Sequence, residues 1–96
     1  MSRDEIIKFI SMHKAELEQE FGVITIGLFG SYARNEGSEK SDIDIVVELK
    51  KPDLFTLIGV KQMIEESLNI KVDVVRRRDG MNSFLKKRID RDVVYV

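Results

Sequence analysis

The sequence predicts a small α/β domain of the α+β kind, with helices flanking a sheet. Three observations point to it. Apolar residues recur at helical spacing near the N-terminus and again from Leu54 to Leu68. Three short runs rich in Val, Ile and Leu, at residues 23–29, 42–49 and 71–75, have the composition of strands. The connections are short, with no linker, repeat or low-complexity segment, so residues 1–96 are expected to form one domain with one core.

The leading helix is predicted over residues 3–20. Ser2 and Glu5 have the spacing of a capping box, and Gly22 ends the helix. Ile6, Ile7, Ile10, Lys14, Leu17 and Phe21 form a stripe that is mostly apolar. His13 lies beside the stripe and reads as a helix-flank residue, not a catalyst. Residues 23–29 read as a strand buried on both faces, in which Gly27 marks a close backbone approach. A Gly30-Ser31 turn then starts a short helix at Tyr32-Ala33-Arg34, with Tyr32 as a packing residue. Residues 35–40 are polar and form a loop, where Lys40 is solvated. Residues 42–49 form the second strand. Asp53 caps the next helix, whose stripe is Leu54, Leu57, Ile58, Lys61, Ile64 and Leu68. Gly59 lets that helix lie close on the sheet, and Asn69 stops it. A third strand at residues 71–75 follows, then a short helix at 81–89, and a short strand or extended tail at 93–96.

The chemistry concentrates after the first strand. Gly30-Ser31 is followed by ten residues and then by Asp42-Ile43-Asp44. Residues i and i+2 of a strand share a face, with Cα atoms about 6.5 to 7 Å apart. Asp42 and Asp44 therefore point one way, and Ile43 and Ile45 the other. Taken alone, such a pair is the wet face of a half-exposed strand. Two like charges side by side repel, however, and a divalent cation, which prefers oxygen ligands, removes that cost. Backbone amides at a glycine turn form an anion seat, to which the Ser31 hydroxyl adds a donor. A phosphate seat beside a carboxylate pair is the apparatus of phosphoryl or nucleotidyl transfer. Arg34 is placed either to touch a triphosphate or to pair with a local acid. Asp73 faces away from Val72 and Val74 and, by itself, reads as an edge-strand acid. Arg76, Arg77 and Arg78 suit a triphosphate, RNA or an acidic partner, and equally a solvated turn.

Gly30-Ser31, ten residues and Asp42-Ile43-Asp44 resemble the signature of the polymerase-β-like nucleotidyltransferase superfamily. The longer string Gly-Ser-Tyr-Ala-Arg-Asn-Glu-Gly, with Ser-Asp-Ile-Asp-Ile after it, resembles its minimal nucleotidyltransferases (MNT), many of which pair with HEPN-domain toxins. Asn35 and Gly37 stand where the family string more often has Gly and Ala, a departure confined to the turn. The resemblance implies the nucleotidyltransferase fold with a mixed sheet. It also implies a third carboxylate on the neighbouring strand, a role that falls to Asp73. ATP is the implied substrate, with Gly30, Ser31 and Arg34 on the nucleotide and two Mg²⁺ ions on Asp42, Asp44 and Asp73. The implied reaction is transfer of AMP to a hydroxyl, foremost a tyrosine of a HEPN toxin, as the antitoxin of a type VII-like pair. The alternatives are an idle site that neutralises a toxin by binding alone, and transfer to a small molecule.

Composition narrows the classes. The net charge of −1 argues against strong non-specific nucleic-acid binding, which needs a positive field. There is no cysteine and one histidine, which excludes disulfides, thiolate metal sites and a His-rich zinc site. No apolar run approaches the roughly 20 residues of a membrane span, and a cytoplasmic protein is expected. With 96 residues there is no room for an added substrate domain, so the acceptor is expected on a partner or across a homodimer surface.

Overall fold

Helix α1 (Arg3–Phe21) begins at its capping box: Ser2 Oγ accepts from the Glu5 amide at 3.2 Å, and Glu5 Oε1 accepts from the Ser2 amide at 3.1 Å. Gly22, at φ 66°, closes it in the left-handed conformation. The computed structural model describes residues 1–96 and continues with β1 (Val23–Phe29), β2 (Ile43–Leu49) and α2 (Leu54–Leu68). It ends with β3 (Val72–Arg76), α3 (Ser83–Asp92) and β4 (Val94–Tyr95). Asp53 caps α2 through the amides of Phe55 and Thr56, and Asn82 caps α3 in the same way.

The sheet has the order β3-β2-β1-β4 and is mixed. β1 pairs antiparallel with β2 and β4, while β2 and β3 run parallel, joined by α2 as the crossover that parallel strands require. Strand alternation then divides the side chains. Ile26, Leu28, Ile43, Ile45, Val47 and Val72 pack with Ile6, Ile10 and Leu17 of α1 and with Val60 and Ile64 of α2. The opposite face carries Phe29 and Val46, covered by Ile89 of α3. Asp44 and Asp73 belong to this second face. No helix is long and apolar enough to cross a membrane.

Several local expectations are corrected. β2 starts at Ile43, so Asp42 lies just before it. Tyr32-Ala33-Arg34 makes a turn, not a helix: the Glu36 amide reaches back to Ser31 O at 2.8 Å, and Asn35 at φ 61° breaks the helical path. Tyr32 is buried, with Gly37 folded over its ring and its hydroxyl donating to Ser38 O at 3.1 Å. The core face of α2 is Val60 and Ile64, whereas Leu54 and Ile58 stand 68% and 41% exposed. Gly59 admits Phe21 of α1, which a Cβ would approach to 2.7 Å, and not the sheet. α3 starts at Ser83 and runs to Asp92. Gly27 is crowded as expected, its Cβ position lying 2.7 Å from Val93 Cγ2 and 3.0 Å from Tyr95 Cδ1.

Candidate active site

The site begins where β1 runs out. Gly30 takes φ 77°, a conformation that costs a residue with a Cβ about 1–2 kcal/mol. A Cβ there would also overlap Asp44 Oδ2, so the turn lies directly against that carboxylate. None of the backbone amides of Gly30, Ser31, Tyr32 and Ala33 donates a hydrogen bond within the chain. The first amides to do so are those of Arg34, to Gly30 O at 3.3 Å, and Asn35, to Tyr32 O at 3.1 Å. Ser31 beside them is half-buried. Consecutive free donors at a turn form a concavity for an anion.

The acids meet this turn from two strands. Asp44 is in register with Asp73 across the parallel β2–β3 pair, so both carboxylates project from one face. Asp42, two residues before Asp44, lies near enough for its charge to act on that carboxyl. Burial pushes the Asp44 carboxyl above the ordinary carboxylate range; Arg88 pulls it back, while Asp73 and Asp42 push it further up. Ile43 and Ile45 go to the other face and are fully buried in the larger core, as the alternation predicted.

Two cations stand on this acidic patch that sequence reasoning missed. Arg88 Nη2 is 4.0 Å from Asp44 Oδ2, with its guanidinium 5.9 Å from the centroid of the Phe29 ring. Lys71 Nζ is 4.0 Å from Asp42 Oδ2. Arg88 comes from α3, 44 residues beyond Asp44, and no local pattern announces it. Arg34 is spent inside the chain: its Nε donates to Glu36 at 3.1 Å, and its Nη1 pairs with Asp92. Asp92 also takes both donors of Arg91 at 2.9 Å, and these arginines hold its carboxyl below the usual range. The pair ties the Gly30 turn to the end of α3, and α3 carries Arg88. His13 donates or accepts at Phe9 O, 2.9 Å away on its own helix, and takes no part in the site.

Asp42, Asp44 and Asp73 carry hard oxygen donors of the kind Mg²⁺ prefers. They are not drawn into a closed cage: no group of three His, Cys, Asp or Glu side chains is tight enough to be a preformed metal site. Two clefts, of about 480 and 490 Å³, contain none of the three acids.

The fold is that of a nucleotidyltransferase. The family model for the nucleotidyltransferase domain matches residues 10–96. The protein adenylyltransferase MntA of Thermococcus cleftensis is 39% identical over 97 residues, covering 100% of this chain and 97% of its own. A Methanocaldococcus jannaschii chain, provisionally named a protein adenylyltransferase, is 40% identical over 93 residues, 96% of this chain and 95% of its own. A solved minimal nucleotidyltransferase, also provisionally named, superposes with a TM-score of 0.79 at 26% identity, over 98% of this chain and 95% of that one. The same fold occurs in the complex of a tri-AMPylated Shewanella oneidensis HEPN toxin with an MNT antitoxin, with a TM-score of 0.65 and 22% identity, over 92% of this chain and 69% of that one. This chain belongs to the nucleotidyltransferase domain family.

Proposed function

We propose that the chain transfers AMP from ATP to a hydroxyl of a partner protein, foremost a tyrosine of a HEPN-domain toxin, and so acts as its antitoxin in the cytoplasm. The observation that carries this reading is the turn of free amides abutting Asp44, with Asp73 in register beside it. The name of the Thermococcus relative and the AMPylated toxin in the Shewanella complex support the choice of donor and acceptor.

The amides of residues 30–33 and the Ser31 hydroxyl hold the β and γ phosphates of ATP. Asp42, Asp44 and Asp73 would hold two Mg²⁺ ions, which when bound neutralise the triphosphate and lower the pKa of the acceptor hydroxyl. The exposed Asp73 takes the hydroxyl proton as general base. The hydroxyl oxygen bonds to the α-phosphorus, the bond from that phosphorus to the bridging oxygen breaks, and pyrophosphate leaves. Position and charge do most of the catalysis. Arg34, tied to Glu36 and Asp92, holds the turn and reaches the nucleotide only by releasing one of them.

The test is incubation with α-labelled ATP, Mg²⁺ and the HEPN protein of the adjacent reading frame. Label should appear on the partner and vanish with Asp42→Asn or Asp44→Asn, both still folded by circular dichroism. A tight complex without label would replace transfer by occlusion.

A further inference from the structure

The sheet has a free edge beside a cleft. β3 is the terminal strand, with β2 on one side only. Its odd-numbered residues bond inward: Lys71 O accepts from the Ile43 amide at 3.0 Å, and the Arg77 amide donates to Val47 O at 2.8 Å. By the two-residue alternation, the even-numbered backbone groups point away from the sheet. The Val72 amide does so and is capped by Glu65 Oε2 at 2.9 Å. Val74 and Arg76 come next on that edge, and no hydrogen bond within the chain satisfies their outward amides and carbonyls.

These groups open into the cleft of about 480 Å³, whose walls include Leu54 and Leu57 of α2 and Met81 and Leu85 of the α3 entry. Arg76 and Arg78 line the same cleft, and neither has an acidic partner within 4.0 Å, although Arg77 between them pairs with Asp90. Asp53 also lines the cleft, but its carboxylate is engaged in capping α2, so unpaired strand donors and acceptors, apolar walls and two arginines without a salt-bridge partner describe one complementary object. We infer that β3 accepts an extended segment of another protein as a fifth strand, apolar on the residues that face the walls and acidic where they meet Arg76 and Arg78. A second copy of this chain is the poorer occupant, because antiparallel pairing of β3 with itself about Val74 would set Lys71 against the partner copy's Arg77. None of Asp42, Asp44 and Asp73 lines the cleft, so this inference and the AMP-transfer reading fail independently.

The test uses the ¹⁵N-labelled full chain and a capped Val-Glu-Val-Asp-Val peptide. In the free protein the Val74 and Arg76 amides should exchange fast with deuterium. Peptide should slow them saturably and shift resonances around the cleft, while those of Asp42 and Gly30 stay put. The double charge reversal Arg76→Glu with Arg78→Glu should weaken binding at least about tenfold, and so should a peptide with Lys in place of both acids. Absence of shifts at millimolar peptide, or binding indifferent to both charge changes, overturns the proposal. Protection of Val74 that grows with protein concentration alone would assign the edge to a second copy and equally overturn it.

Discussion

Gly30→Ala isolates what the phosphate turn does to the carboxylates. Gly30 and Gly80 share nearly the same positive φ, 77° and 78°. A Cβ at Gly80 meets nothing within 4 Å, whereas at Gly30 it overlaps Asp44 Oδ2 and lies 3.0 Å from Asp44 Cγ. Both substitutions should therefore cost the left-handed strain of about 1–2 kcal/mol. Near the melting point each 1 kcal/mol is about 4–8 °C for a domain of this size. Only Gly30→Ala must also push Asp44 aside, by something on the order of an ångström. A displacement of that size at a reacting group costs roughly 10²-fold in rate. The assay pairs thermal melts with the rate of label transfer from ATP. Gly80→Ala should melt lower and transfer normally, whereas Gly30→Ala should melt at least as low and lose about 10²-fold or more in rate. Equal rates in the two variants would refute the contact between turn and carboxylate as the basis of activity.

Other outcomes follow from the ion pairs. Arg88→Ala should lower the stability of the metal-free chain by no more than about 1 kcal/mol, since the pair with Asp44 is at 4.0 Å and Arg88 is 41% exposed. Melts in EDTA should show the loss, and added Mg²⁺ should shrink it. Asp92→Asn should cost about 1 kcal/mol, since Arg91 loses its acid and Arg34 is left with Glu36 alone, and the exposure of both arginines limits the penalty. The Asp92 carboxyl is held below its unfolded value, so its contribution is present above the unfolded carboxylate range and is lost as pH falls through the folded pKa. Melting as a function of pH should accordingly show a shallower acid limb in Asp92→Asn than in the unaltered chain.

How much of this was legible in the sequence depends on the range of each interaction. The capping box, the Asp53 cap and the Gly22 stop are local, and each stands as read. The division of Asp44 from Ile43 and Ile45 follows from strand alternation alone. The family resemblance gave Asp73 its role, and the parallel register of β2 and β3 then set it beside Asp44. Arg88 was illegible because its place depends on how α3 docks across the sheet. The exposed start of α2 was misread for a related reason. Leu54 and Ile58 satisfy a helical stripe, but β3 ends the sheet and leaves nothing beyond its edge to bury them. Arg34 was left between phosphate and a local acid. The local acid is there, Glu36 at 3.1 Å, but Arg34 also pairs with Asp92, 58 residues away, a contact that sequence spacing cannot reveal.

The central claim is that Asp42, Asp44 and Asp73 act as one metal-binding set beside the Gly30 turn. Its most direct test is Mn²⁺ binding followed by electron paramagnetic resonance, with and without AMP-PNP, in the unaltered chain, Asp44→Asn and Asp73→Asn. The account predicts that AMP-PNP strengthens Mn²⁺ binding in the unaltered chain and that each substitution weakens it by at least about tenfold, as loss of one charged ligand should. Mn²⁺ binding that is unchanged in Asp73→Asn, or indifferent to AMP-PNP, would contradict it.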